Sequence, residues 1–440
     1  MISNRYFSLD LLLVGLLVAV QLFIRSSGLL FLVVLPLFFY VLLELWHPMA
    51  AYPSLPEKVD RTRLTFLARL LLIWLIVAGS VIYPAVSDIS QRWGREARAV
   101  HDPEELFDAH DGAIQIEYAL AFLQDGKNPY AERYDDAPFK YINLLGTETM
   151  VNPAVYYLAY LPGYIVFSFP FYQLFEAAGL VYDQRWVYLL AYLALLFVLP
   201  TLVKAPSLKL ALLAAVGLNP LITAPVVLGM NDIVALLTTV IAIAALLRRR
   251  FLLSAVAFGL ACTFKQWAWF SAPFYFLLLY GALPASGRIR EAVKYAAISV
   301  AIAALVILPF ALWSLPDFIT DVFAFPGGNV EHNYPIRGYT LGLFLVGAGV
   351  VDSPLDPFPF WILQLLFGLP LLLWLLYLQR RRNTAGNLFI LTATFIFGLG
   401  LVSRYFQENH LGYIVALSSI GLLLNLQSSL DEERLSAPYA

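Results

Sequence analysis

Three stretches, Leu64–Tyr83, Tyr295–Trp313 and Phe358–Leu378, carry between them a single charged side chain, Arg69. That property narrows the possible folds more than any other. At about 1.5 Å of rise per residue, a run of roughly 20 apolar residues spans the ~30 Å hydrocarbon layer of a bilayer. No water is available there to satisfy backbone N–H and C=O groups, so such segments close their hydrogen bonds internally, as helices. Composition extends the inference to the whole chain. Of 440 residues, 60% are hydrophobic and 13% charged, against about 45–50% and about 25% in soluble domains. The expected fold is all-α, a polytopic transmembrane helix bundle.

Apolar runs place spans near 9–24, 28–46, 64–83, 151–172, 185–202, 208–228, 231–247, 251–264, 266–282, 295–313, 358–378, 387–403 and 412–428, about 11–13 crossings in all. Residues 1–430 form one unit. Two polar stretches interrupt it, 84–150 and 315–357, and 431–440 is a polar tail. No cleavage site precedes Leu9–Ile24, so that segment is expected to be retained as a helix. Lys and Arg in short loops mark the cytoplasmic side. Lys58/Arg61/Arg63, Arg248–Arg250, Arg288/Arg290/Lys294 and Arg380–Arg382 therefore face inward, with the N-terminus and the tail. Both long polar stretches, and Arg404–His410, face outward. Strict alternation fails between 150 and 248. Pro153, Pro162 and Pro170 explain this if 151–172 is broken or re-entrant. The short Tyr339–Val351 patch is interfacial.

The net charge of −2 and the single cysteine, Cys262, give no basic nucleic-acid stripe, disulfide framework or thiolate metal site. No nucleotide-binding loop, zinc-protease helix or nucleophile elbow occurs. The informative polar groups gather on the outward side. His110-Asp111 opens a helix-compatible stretch that closes at Asp125-Gly126. At about 100° per residue, Asp111, Gln115 and Tyr118 share one face, while His110 and Glu117 share its neighbour. Asp111 is either a general base at the lipid–water boundary or simply a helix N-cap. Asn231 and Asp232 divide in the same way between a site and a cap. Lys265, before Trp267, either snorkels or neutralises a lipid phosphate. Arg337 and Arg404 offer the planar fork that fits phosphate, each near a histidine, His332 and His410.

In this order along the chain, the pattern resembles the GT-C superfamily of membrane glycosyltransferases. The likeness rests on His110-Asp111 with Gln115 and Glu117, Gly126-Lys127-Asn128-Pro129-Tyr130, and Tyr160-Leu-Pro162-Gly163. It continues through Gly229-Met-Asn231-Asp232, Gly259 to Lys265, Tyr334-Pro-Ile-Arg337-Gly338 and Arg404 to His410. Among its branches the chain looks most like bacterial mannosyltransferases that use polyprenyl-phosphate-mannose. Two features depart from that branch: three helices precede the first loop instead of one, and the late loop has a single histidine instead of a pair.

The resemblance implies an inverting transfer of a hexose or pentose, mannose foremost, from a polyprenyl-phosphate donor to an acceptor hydroxyl. The acceptor is a glycan, glycolipid or protein, and the site lies on the outer face of a prokaryotic plasma membrane. Asp111 would be the base. Lys265, Arg337, Arg404 and His410 would hold the donor phosphate. His110, Gln115, Glu117, Tyr118, Asn231, Asp232 and His332 would line the sugar and acceptor sites, with Trp267 and Tyr405 as aromatic packing. No cofactor is expected; the branch generally does without metal, although Asp88 and Asp232 are the oxygen ligands a hard cation prefers. The partners are then the lipid-linked donor, the acceptor and membrane lipid, with no nucleic acid. The alternatives are a lipid-linked sugar flippase, for which charged groups near mid-membrane and an internal repeat would be expected, and a non-catalytic subunit of the same fold.

Overall fold

The computed structural model describes residues 8–24, 30–46, 56–96, 109–143 and 149–436. Nearly all of the predicted spans are helices, packed as an all-α bundle. Residues 97–108 and 144–148 of the first polar stretch lie outside the described set, as do the first two residues of the predicted span 28–46.

Among the described residues, five helices are long and apolar enough to cross a bilayer: Arg63–Gly94, Arg185–Leu202, Arg288–Trp313, Phe360–Arg381 and Glu408–Glu432. A sixth is possible if the pair Pro206–Gly217 and Pro220–Leu228, bent by 50°, acts as one span. The bend falls where Asn219 stops one helix and caps the next, accepting from the Leu221 amide at 3.0 Å. Several other predicted spans are helices within a residue or two of the expected bounds but short for a full crossing; Asp232–Leu247, with 16 residues, is about 24 Å long. Among the described residues, length alone therefore marks five or six full crossings, and shorter apolar helices occupy other predicted spans.

Two boundaries differ from expectation. The segment 64–83 does not end at Pro84. Helix Pro56–Val77 passes through a π-helical turn at Ala78–Ile82 into Tyr83–Glu96. A proline ring inside a regular α-helix clashes with the carbonyl four residues back; the wider turn just before Pro84 relieves that clash, so the helix carries on through Asp88. The first polar stretch accordingly starts later than residue 84. At the other end, helix Glu408–Ser436 absorbs the described part of the predicted tail, and Lys204 pairs with Asp431 at 2.8 Å. The segment 151–172 is broken, as its prolines require. A 3-10 turn at Pro153–Val155 leads to an irregular strap, and a helix begins only at Gly163.

Small residues set the closest helix contacts. A methyl group on Gly259 would collide with the Ser299 backbone, which lets Phe251–Phe264 lie directly against Arg288–Trp313. The first three helices are pinned by a buried ion pair. Asp10 Oδ2 accepts from Arg69 Nη1 at 2.9 Å and from the Tyr40 hydroxyl at 2.7 Å, and helix Leu9–Ile24 also packs on Pro206–Gly217. Arg337–Gly338 pairs in parallel with Tyr405–Phe406 and joins the two late loops. Gly338 has φ +88, and a side chain there would strike the Phe406 carbonyl.

Candidate active site

Helix Asp111–Gln124 begins where the sequence placed it, but its cap is His110. The His110 backbone is extended, and Nδ1 accepts from the Gly112 amide at 3.1 Å. Asp111 is thereby the first helical residue, and its carboxylate is free to face inward. Oδ2 accepts from Asn152 Nδ2 at 3.2 Å and from the Tyr334 hydroxyl at 3.1 Å. Oδ1 lies 3.0 Å from His110 Nδ1. One turn on, Gln115 donates to the carbonyls of Ala154 at 2.7 Å and Tyr157 at 2.8 Å, tying the helix to the strap that forms the next wall.

The opposite wall is built on Gly229, whose φ of +92 turns the chain so that Asn231 and Asp232 stand at the head of helix Asp232–Leu247. Neither uses its side chain as a cap for that helix's first turn. Asp232 instead pairs with Lys265 and accepts from Asn409 Nδ2 at 2.8 Å, while Lys265 also reaches Asn231 Oδ1 at 3.4 Å. Lys265 is thus held by a salt bridge and does not merely snorkel. His410 packs edge-on against Trp267, ring centroids 5.0 Å apart.

Arg404 closes the third side. Its Nε donates to the Tyr334 carbonyl, Nη1 to Asp356 at 2.8 Å and Nη2 to Pro354 at 2.9 Å. Burial lowers its pKa to about 10. Three donors spent on backbone carbonyls make Arg404 a brace for the late loops, and two further N–H groups are left on a guanidinium that lines the cavity.

His110, Asp111, Gln115, Asn231, Lys265, Arg404 and His410 all line one cavity of about 470 Å³. Five expected site residues do not. Glu117 is turned into a buried network, held by both terminal nitrogens of Arg92 at 2.9 and 2.6 Å and by the Gln184 amide at 2.8 Å. Burial raises its pKa, against the opposing pull of Arg92. Tyr118, on the expected face of Asp111, spends its hydroxyl on the Asp136 carbonyl at 3.1 Å. His332 stacks on Tyr156, centroids 3.9 Å apart. Asp232 acts on the cavity through Lys265 and Asn409, and Arg337 sits in the strand pair beside Tyr405. Asn152, a neighbour of Asp111, is not among the residues the sequence singles out; Tyr160 and Tyr334, also beside Asp111, and Asn409, the partner of Asp232, stand in the quoted motifs without a site role. Asn152-Pro153 was the one visible signal, since Asn before Pro favours a turn; Asn152 Oδ1 does accept from the Ala154 amide at 3.0 Å.

Phe264, Trp267, Phe270, Phe323 and Trp361 give the cavity an apolar side. Among the described residues, no three His, Cys, Asp or Glu side chains come together in an arrangement that could hold a metal.

The strap and the 320–325 wall are joined by Asp321, whose Oδ2 accepts from the Leu158 amide at 2.8 Å. Burial pushes this carboxyl up to about 7, with the nearby Asp317 adding to the shift. A carboxyl whose pKa is raised on folding favours the folded state most at low pH, and that contribution is lost as pH rises through the folded value. The apparent melting temperature is therefore expected to fall as pH rises between the unfolded value of 3.8 and the folded value of about 7, and to level off above it. Asp321→Asn, which keeps the acceptor but cannot ionise, should flatten that fall; an identical pH dependence in the variant would show that another group is responsible.

Comparison with known proteins agrees with this architecture. No curated protein matches the chain, but a scan against protein families matches residues 157–403 to glycosyltransferase family 87. The matched segment holds Asn231, Lys265 and Tyr334, and the ends of the cavity, His110-Asp111 and Arg404 to His410, flank it on either side. With more than half of the chain matched, this protein belongs to glycosyltransferase family 87, a family of GT-C-type membrane glycosyltransferases.

Proposed function

We propose that the enzyme transfers a sugar, mannose foremost, from a polyprenyl-phosphate donor to an acceptor hydroxyl on the extracytoplasmic side, with inversion. The carrying observation is that Asp111 and Lys265 line the same cavity, one held by hydrogen bonds and the other by a salt bridge. Asp111 removes the acceptor proton as the hydroxyl oxygen attacks the anomeric carbon from the side opposite the phosphate. The bond from that carbon to the phosphate oxygen breaks, and its electron pair leaves with the lipid phosphate. Lys265 has a third N–H donor beyond those given to Asp232 and Asn231, and offers it to the departing charge. Asp232 and Asn409 position that ammonium group; His410 and the aromatic side accommodate the sugar and the first part of the isoprenoid. Outward placement of the cavity follows from the arginine-rich loops on the other side.

The test uses purified protein in detergent or liposomes, radiolabelled polyprenyl-phosphate-mannose, and an extract of cell-envelope lipids and glycans as acceptors. Labelled acceptor should form only with protein present. Protein-dependent movement of the labelled donor between leaflets without any transferred product would replace the enzyme with a flippase.

A further inference from the structure

We propose that His110 receives the proton that Asp111 takes from the acceptor and passes it on to water. This rests on the assignment of Asp111 as base and adds the route by which that base is reset. The two donors from Asn152 and Tyr334 both fall on Oδ2, so Oδ1 keeps the greater capacity for a new proton. At 3.0 Å from Oδ1 stands Nδ1 of His110. In the resting enzyme Nδ1 accepts from the Gly112 amide, so its lone pair is occupied and the imidazole proton belongs on Nε2.

Two acceptor atoms then face each other at hydrogen-bond distance with no proton between them. The contact becomes favourable when one proton arrives, and the transfer reaction delivers one per turnover. In the chemical step the acceptor O–H bond breaks, its electron pair forms the new bond to the anomeric carbon, and the proton goes to Oδ1. The O–H bond at Oδ1 then breaks as Nδ1 bonds the proton, leaving carboxylate beside imidazolium. Nε2 releases one proton to water, and the neutral imidazole then returns to its resting tautomer: Nε2 takes a proton back from water as Nδ1 gives its own to water, so that one proton leaves in total and the Gly112 amide regains its acceptor. The side chain of His110 is more exposed than that of Asp111, 29% against 16%, as a group that exchanges with water should be.

The surrounding titratable groups do not offer a competing route. The hydroxyls of Tyr160, Tyr334 and Tyr405 lie within the field of Asp111, and burial raises their pKa values further. Arg185, behind Gly229, is paired with Asp183, and Lys265 on the far wall is paired with Asp232.

His110→Asn separates the relay from the cap, because asparagine is a good N-cap but cannot carry the proton onward. In the mannose-donor assay its kcat should fall about 100-fold, with the donor KM little changed. The pH profile of kcat should change while keeping the low-pH loss that any carboxylate base imposes, and added imidazole should restore part of the rate. Wild-type kcat with an unchanged pH profile would reduce His110 to a cap and overturn the proposal. A second readout needs no acceptor. The protein has 5 histidines, and the nitrogen-15 imidazole signal missing from His110→Asn identifies residue 110. In the resting enzyme it should report an unprotonated Nδ1 and a protonated Nε2; a proton resident on Nδ1 would refute the relay. Should Asp111→Asn retain full turnover, the base assignment fails independently of that result.

Discussion

Asp111→Asn should abolish sugar transfer while leaving the fold and donor affinity close to wild type. Asparagine matches aspartate in size, and its carbonyl oxygen can still accept from Asn152 and Tyr334. Its amide can meet Nδ1 of His110 where the carboxylate oxygen now stands. The geometry of the helix start therefore survives, and what disappears is the ability to take a proton. A positioned base is worth roughly 10²–10⁴ in rate, which should put the variant below detection in a radiolabelled assay. Melting temperature and equilibrium binding of the labelled donor are the controls. Full activity in the variant would remove Asp111 from the chemistry.

Arg404→Lys should be damaging for a different reason. Its guanidinium holds the carbonyls of Tyr334, Pro354 and Asp356 at once, which a point-like ammonium on a flexible stem cannot do. Each buried acceptor left unmet costs roughly 1–3 kcal/mol, so with one of the three carbonyls recovered by lysine the loss is on the order of 2–6 kcal/mol. The melting temperature should drop, and activity should fall with it because Tyr334, the donor to Asp111, is carried on the loosened loop. A variant that melts like wild type but needs far more donor would return Arg404 to direct phosphate binding.

What the sequence disclosed was local. Asp125-Gly126 and the apolar pattern before it gave the helix Asp111–Gln124 because capping and periodicity act over a few residues. The three prolines of 151–172 announced a broken segment for the same reason. The partners of Asp111 were not legible, since Asn152 lies 41 positions away and Tyr334 lies 223 positions away, and only the packed bundle brings them together. Helical spacing put Gln115 and Glu117 on neighbouring faces without saying which face met the cavity; Arg92 and Asp183 decide that by drawing Glu117 into their network. Hydropathy, likewise, does not distinguish a helix that crosses the bilayer from a shorter one enclosed by its neighbours, as Asp232–Leu247 is over most of its length.

The Arg337–Gly338 and Tyr405–Phe406 pairing, together with the Arg404 brace, stitches two segments remote in sequence into one piece. Such a piece travels as a unit if it travels at all. The strap, by contrast, meets the 320–325 wall through the Leu158 amide on Asp321 and the ring of Tyr157 against Phe325, with no strand pairing to lock them among the described residues.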